Sequence, residues 1–149
     1  MRESGILMHI TSQVLEFAFD SPEPSPYLPH TYIQNTVCYT GTHDNMTLTQ
    51  WLEEAPAETQ KRAQAYMCLS DQEGFAWGVI RTAYACVSDL CSIQLQDCLG
   101  LGAEARMNFP GTAGDNWTWR ALPGSYDDAI AQKLCRLAVL YGRKKQNPQ

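Results

Sequence analysis

Apolar and polar residues alternate in "QVLEFAFD", Gln13 to Asp20, before the run turns aromatic, and a two-residue period predicts a β-strand. "SPEPSPYLPH" follows with four prolines in ten residues, which predicts an extended loop because proline fixes φ and removes a backbone donor. "YIQNTVCYT", Tyr32 to Thr40, is rich in β-branched residues and predicts a second strand. The pattern then changes. "TLTQWLEEAP" suits a short helix that stops before Pro56, and "AETQKRAQAYMCL" continues as another. In "DQEGFAWGVIRTAYACVS", Phe75, Val79, Thr82 and Cys86 share one helical face while Trp77, Ile80 and Tyr84 populate a second, so this helix should be buried on more than one side.

"LCSIQLQD", Leu90 to Asp97, predicts a third strand. A long loop rich in glycine and proline follows the Gly100–Gly102 turn. The last element is a helix with Ile130, Leu134, Leu137 and Tyr141 at 3.6-residue spacing. Ser125 is its expected N-cap, with Asp128 three residues on as a variant capping box, and Asp127 and Asp128 suit the positive end of the helix dipole. The order strand, loop, strand, helices, strand, long loop, helix predicts an α/β class with parallel units. Both chemically rich loops, after Thr40 and after Asp97, then lie at the C-terminal ends of strands, where barrels and open α/β sheets build their sites.

Composition narrows the function classes. The net charge is −5 and no basic stripe is present, which argues against a nucleic-acid partner. The only cationic run, Arg143 to Lys145, is expected to be a solvated helix terminus. No stretch reaches the ~20 apolar residues of a membrane span, and "MRESGILMHITS" is a poor signal peptide, so a soluble, cytoplasmic protein is expected. The six cysteines, Cys38, Cys68, Cys86, Cys91, Cys98 and Cys135, form no C-x-x-C pair and read as buried free thiols of a reducing compartment. His9, His30 and His43 are not grouped with them, so no zinc site is expected.

The densest chemistry is "YTGTHDNMT", where His43, Asp44 and Asn45 follow a strand and Gly41. A carboxylate, an imidazole and an amide together suit a polyhydroxylated ligand such as a sugar. Trp51, Trp77, Trp117 and Trp119 could stack on its rings, although tryptophans commonly fill cores. The same triplet could equally cap the next helix and close a turn. A metal reading lacks a third ligand, and a serine triad lacks its G-x-S-x-G elbow. On residue types alone, the sugar and turn readings both stand.

Two long segments, "YLPHTYIQNTVCYTGTHDNMT" and "QDCLGLGAEARMNFPGTAGDNWTWR", with the later "YGR", resemble the 4-α-glucanotransferases known as amylomaltase or disproportionating enzyme. The resemblance runs from about Val14 to Arg143. It implies the C-terminal part of a (β/α)8 TIM barrel, incomplete here: a whole barrel typically takes ~250 residues, and about three strands are predicted. Residues 14–145 would be the barrel portion, 1–13 an unlike N-terminal stretch and 146–149 a tail. The implied reaction moves α-1,4-glucan segments between maltooligosaccharides through a covalent glucosyl-enzyme intermediate, with no cofactor and no metal.

The resemblance further implies a nucleophilic Asp, a general acid/base Glu, and an Asp that grips sugar hydroxyls and stabilises the transition state. The "THDN" motif puts the third at Asp44, with His43 on the same sugar. Asn108 in "RMNFPG" matches a sugar-contacting asparagine. No segment matches the nucleophile or acid/base motifs, which in the family lie upstream of the "VLEFAF"-like strand. The expectation is therefore a C-terminal fragment, as a truncated product, a gene-model fragment or one piece of a split enzyme with a complementary chain. Alone it should be inactive, or act as a non-catalytic α-glucan-binding remnant.

Overall fold

The computed structural model describes residues 11–144. Most of the 1–13 stretch, Lys145 of the cationic run and the 146–149 tail lie outside the described residues. Three parallel strands form one sheet in chain order: β1 (Thr11–Val14), β2 (Thr36–Tyr39) and β3 (Leu90–Ser92). The β2–β3 crossover carries three helices: α1 (Leu48–Glu54), α2 (Ala57–Met67) and α3 (Phe75–Ala85). A short α4 (Leu95–Cys98) follows β3, and α5 (Asp128–Leu140) closes the described chain. The β1–β2 connection is the proline-rich loop with two 3-10 turns, Leu15–Phe19 and Pro29–Thr31. No helix among the described residues is long and apolar enough to cross a membrane.

Strand register sorts the side chains. Gln13, Cys38 and Cys91 stand in one row across the sheet, and Val14, Tyr39 and Ser92 in the next, on the opposite face. Cys38 is fully buried in the core with Leu48, Val79, Ile80 and Ala83 from the helices. Burying side chains such as Leu48 and Ile80 stabilises by roughly 2–3 kcal/mol each. The opposite face stays open: Val37 and Tyr39 are half-buried, and Leu90 is 59% exposed.

All three predicted strands are shorter than their sequence pattern, and β2 keeps only Thr36–Tyr39 of the Tyr32–Thr40 run. β1 ends at Val14 and "LEFAF" turns into a 3-10 helix with four of its five residues buried. The last ladder bond joins Glu16 N–H to the Thr40 carbonyl at 3.3 Å, where β2 itself runs out. Backbone groups beyond that point need local partners, and an i→i+3 turn supplies them. The third strand likewise stops at Ser92, and Gln96 and Asp97 belong to the turn around α4. The broad burial of α3 is seen: Gly78, Val79, Ile80, Thr82 and Ala83 are buried, while Phe75 stays 37% exposed. Gly78 permits this, since a Cβ there would lie 2.6 Å from Leu69 Cδ2.

Helix ends follow local chemistry with two departures from expectation. Thr47 caps α1 by accepting the Gln50 N–H at 3.2 Å, and the helix ends before Pro56. The N-cap of α5 is Asp127, whose carboxylate accepts the Ile130 N–H at 3.1 Å; Ser125 lies two residues outside the helix. Ile130, Leu134 and Leu137 pack on the core as their spacing predicts. Arg143 is not a solvated terminus. Its guanidinium donates to the carbonyls of Tyr84, Cys86 and Ser88 at 2.8, 2.8 and 2.9 Å. It thereby satisfies acceptors that the end of α3 leaves over.

All six cysteines are free; Cys38 and Cys98 are buried, but Cys68 and Cys135 are exposed, so the expectation of burial holds for only part of the set.

Candidate sugar-handling site

The loop after β2 is organised by Asn45. Its Oδ1 accepts from the Thr42 N–H at 2.9 Å and the Thr42 hydroxyl at 2.7 Å, and its own N–H donates to the Thr42 carbonyl at 3.0 Å. The turn-closing reading therefore describes Asn45. Its two neighbours project outward, with side chains 56% exposed for His43 and 49% for Asp44.

The loop after β3 comes back to meet them. Asn108 Nδ2 donates to Asp44 Oδ1 at 2.6 Å, and His43 Nε2 is 3.3 Å from the same oxygen. Arg106 donates to the Asp44 backbone carbonyl at 2.8 Å and, through Nε, to the Asn108 carbonyl at 3.0 Å. Its guanidinium also lies 4.4 Å from the centre of the Phe109 ring. One arginine thus ties the two strand-end loops together. The structure brings together all three residues singled out from the sequence, His43, Asp44 and Asn108.

The tryptophans divide between roles. Trp51 is buried in the core, and Trp77 packs on it beneath Lys133, whose Nζ is 3.9 Å from the ring centre. Trp117 lies against His43 with ring centres 4.9 Å apart. Its backbone sits at φ 63°, an unfavourable region for an aromatic residue, and its N–H donates to the Met107 carbonyl at 2.7 Å. Trp117 and Trp119 line one cleft of about 380 Å³. A second, of about 410 Å³, is lined by Tyr39, Gly41 and Thr42. His43 and Gln94 border both clefts.

Two buried acids support this rim from below. Asp97 is fully buried; it accepts from the Thr40 hydroxyl and the Leu48 N–H, both at 2.8 Å. It thereby fixes the end of β2 and the start of α1, the two ends of the "GTHDN" loop. Burial pushes its pKa up to about 6, against the pull of those two hydrogen bonds. Glu16 is 4% exposed, and burial, reinforced by the charge of Asp97, pushes its carboxyl up to about 9. Sequence reasoning missed Arg106, Asp97, Glu16 and Gln94. A signal existed for Asp97, an acid amid the apolar residues after a strand, while the contact of Arg106 with Asp44 and the place of Gln94 in the clefts depend on the meeting of segments distant in sequence. Among the described residues no group of His, Cys, Asp and Glu is placed to hold a metal ion.

The strand-end carboxylate is held by an amide and an imidazole beside the exposed Trp117, and comparison with known proteins decides the family. The 4-alpha-glucanotransferase family model matches residues 3–124. The chain belongs to the 4-alpha-glucanotransferase family. It is 42% identical over 132 residues to a 4-alpha-glucanotransferase of Clostridium butyricum, covering 88% of this chain and 27% of that protein. It is 44% identical over 133 residues to one of Synechocystis sp., covering 89% and 26%. Among solved structures it matches an amylomaltase from Streptococcus agalactiae in complex with acarbose, at 33% identity and a TM-score of 0.88, over 93% of this chain and 28% of that one. The chain thus spans about a quarter of the length of these relatives.

Proposed function

We propose that this 4-alpha-glucanotransferase family chain contributes the glucan-gripping part of a retaining 4-α-glucanotransferase site. Asp44 is the carboxylate that holds sugar hydroxyls and strengthens its hold as the ring gains oxocarbenium character. His43 contacts the same sugar, and Asn108 both orients Asp44 and faces the glucan. One observation carries this reading: the Asp44 carboxylate is half-exposed at a strand end yet fixed by Asn108 at 2.6 Å. A free surface carboxylate would have no such partner, and a structural one would be buried like Asp97. The acarbose complex of the similar amylomaltase supports an α-glucan or maltooligosaccharide ligand.

The three parallel strands with helices on one face fit a segment of a (β/α)8 barrel that takes in Thr11–Gln13 of β1, ahead of the expected boundary at 14, with the open face of Val37, Tyr39 and Leu90 toward its lumen. A retaining mechanism needs two further carboxyl groups ~5–5.5 Å apart, as nucleophile and general acid/base. We assign neither to this chain. They belong to strands that would complete the barrel, in a longer chain or a complementary one, working in the cytoplasm where the free thiols stay reduced.

The test has two parts. The 149-residue chain should release no glucose from maltotriose. It should bind maltoheptaose in a calorimetric titration, and Asp44→Ala should weaken that binding about tenfold, the worth of one good hydrogen-bonding group. Disproportionation by the chain alone would overturn the division of labour. Binding indifferent to Asp44→Ala would overturn the site.

A further inference from the structure

The end of α3 carries chemistry that the glucan reading leaves unused. Cys86, the residue at which α3 stops, is half-buried and lines a cleft of about 510 Å³ with Gln34, Ser88, Asp89, Tyr141 and Arg143. Gln34 precedes β2 and Asp89 precedes β3, so the cleft lies at the N-terminal ends of the strands, the pole away from Asp44. Arg143 Nη2 is 3.5 Å from the Cys86 sulfur and 2.8 Å from the Cys86 carbonyl. The carbonyls of Tyr84, Cys86 and Ser88 fix this guanidinium, so its charge stays beside the sulfur.

Opposed contacts set the state of that sulfur. As a thiol it donates to the Ala83 carbonyl at 3.0 Å, which favours the protonated form. Hydrogen bonding from the Cys38 thiol favours the thiolate, with smaller help from Ser88 and the Arg143 charge. The thiolate side prevails against burial and lowers the Cys86 thiol to about 6. Cys38 is fully buried, and hydrogen bonding to Cys86 and Cys91 raises its own thiol, so it keeps its proton and stays out of a reagent's reach. Cys68 and Cys135 are exposed. Lys144 Nζ lies 3.5 Å from the Cys135 sulfur, but both groups stand in solvent, where salt screens the pair. A half-buried sulfur beside a fixed cation is the setting of a reactive cysteine.

We propose that Cys86 is a modification site, where the sulfur beside Arg143 is captured by the disulfide of a small hydrophilic thiol. The Cys86 thiolate attacks one sulfur of that disulfide. A new S–S bond forms to Cys86, the original S–S bond breaks, and the other half leaves as a thiolate that takes up a proton from water. The incoming disulfide is the oxidant, and no other is consumed. The polar lining of the cleft, with Gln34, Asp89 and Tyr141, suits a hydrophilic molecule.

The experiment incubates the fully reduced 149-residue chain with oxidised glutathione at about pH 6.5, quenches with acid, and measures the mixed disulfide at each cysteine by peptide mass spectrometry. Cys86 should react about fivefold faster than an unstructured cysteine peptide in the same mixture, and ahead of Cys68 and Cys135. Cys38 should stay unmodified, which shows that the folded chain is being read. Arg143→Gln should slow Cys86 about fivefold and leave Cys135 unchanged. If that variant does not fold, the order of modification in the unaltered chain decides alone. Modification led by Cys68 or Cys135, or an unchanged Cys86 rate in folded Arg143→Gln, would overturn the site. Labelling of Cys86 and Cys38 in step would mark reaction through unfolding and overturn it equally. No glucan enters the assay, so failure here leaves the reading of Asp44 standing.

Discussion

Each pole of the sheet is closed by an arginine, and the two do opposite things. At the C-terminal ends of the strands, Arg106 donates to the Asp44 carbonyl and leaves the Asp44 carboxylate half-exposed. At the other pole, Arg143 spends its guanidinium on the carbonyls of Tyr84, Cys86 and Ser88. The second arrangement joins α5 to the end of α3 through backbone carbonyls. The first holds two loops so that an acid faces outward. The carboxylates repeat the contrast. Asp97 is buried with two donors supplied by the fold, whereas Asp44 retains acceptor capacity beyond its Asn108 contact. On the proposed reading, stability and ligand handling fall to different copies of the same chemistry.

That contrast can be broken in graded steps. The largest effect should come from Asp97→Ala, which strands the Leu48 N–H and the Thr40 hydroxyl in the interior; urea unfolding should show a loss of about 3 kcal/mol. Arg143→Ala should follow at about 2 kcal/mol by the same measurement, since three carbonyls lose a charged donor.

The pH dependence of the same measurement has a definite sign. The Glu16 pKa is raised from 4.5 to about 9, so its native form keeps a proton that the unfolded chain releases. Its contribution is complete below 4.5 and is lost as pH rises toward about 9. Unfolding free energy measured from pH 5 to 9 should therefore fall, and Glu16→Gln should flatten that fall. Asn108→Ala should change stability least, by about 0.5 kcal/mol or less, because the pair is exposed. It should still weaken maltoheptaose binding, which a titration at constant salt would read.

Local pattern reached some of these features and not others. The α5 stripe was legible because Ile130, Leu134 and Leu137 follow a helical period that packing enforces. Its cap was misplaced by two residues, since Ser125 and Asp127 are both good N-caps and only the path of the loop chooses between them. Alternation overextended β1, because burial of Leu15, Glu16, Ala18 and Phe19 in a 3-10 turn mimics a strand until the partner's length is known. His43, Asp44 and Asn108 came from motif resemblance, and their meeting could not be read from spacing, as 64 positions separate Asp44 from Asn108. Gln94 carries no local signature, and Arg106, although it opens the "RMNFPG" motif, meets Asp44 only once β2 and β3 lie side by side.

The left-handed backbone at Trp117 has a consequence for engineering. Glycine there would relieve a local strain of about 1–2 kcal/mol, and at 49% exposure the indole has limited packing to forfeit. Selection for heat tolerance alone would favour that exchange. It would also strip the wall beside His43, so a library screened only for survival on heating would drift toward sturdier proteins with a blunted grip on carbohydrate.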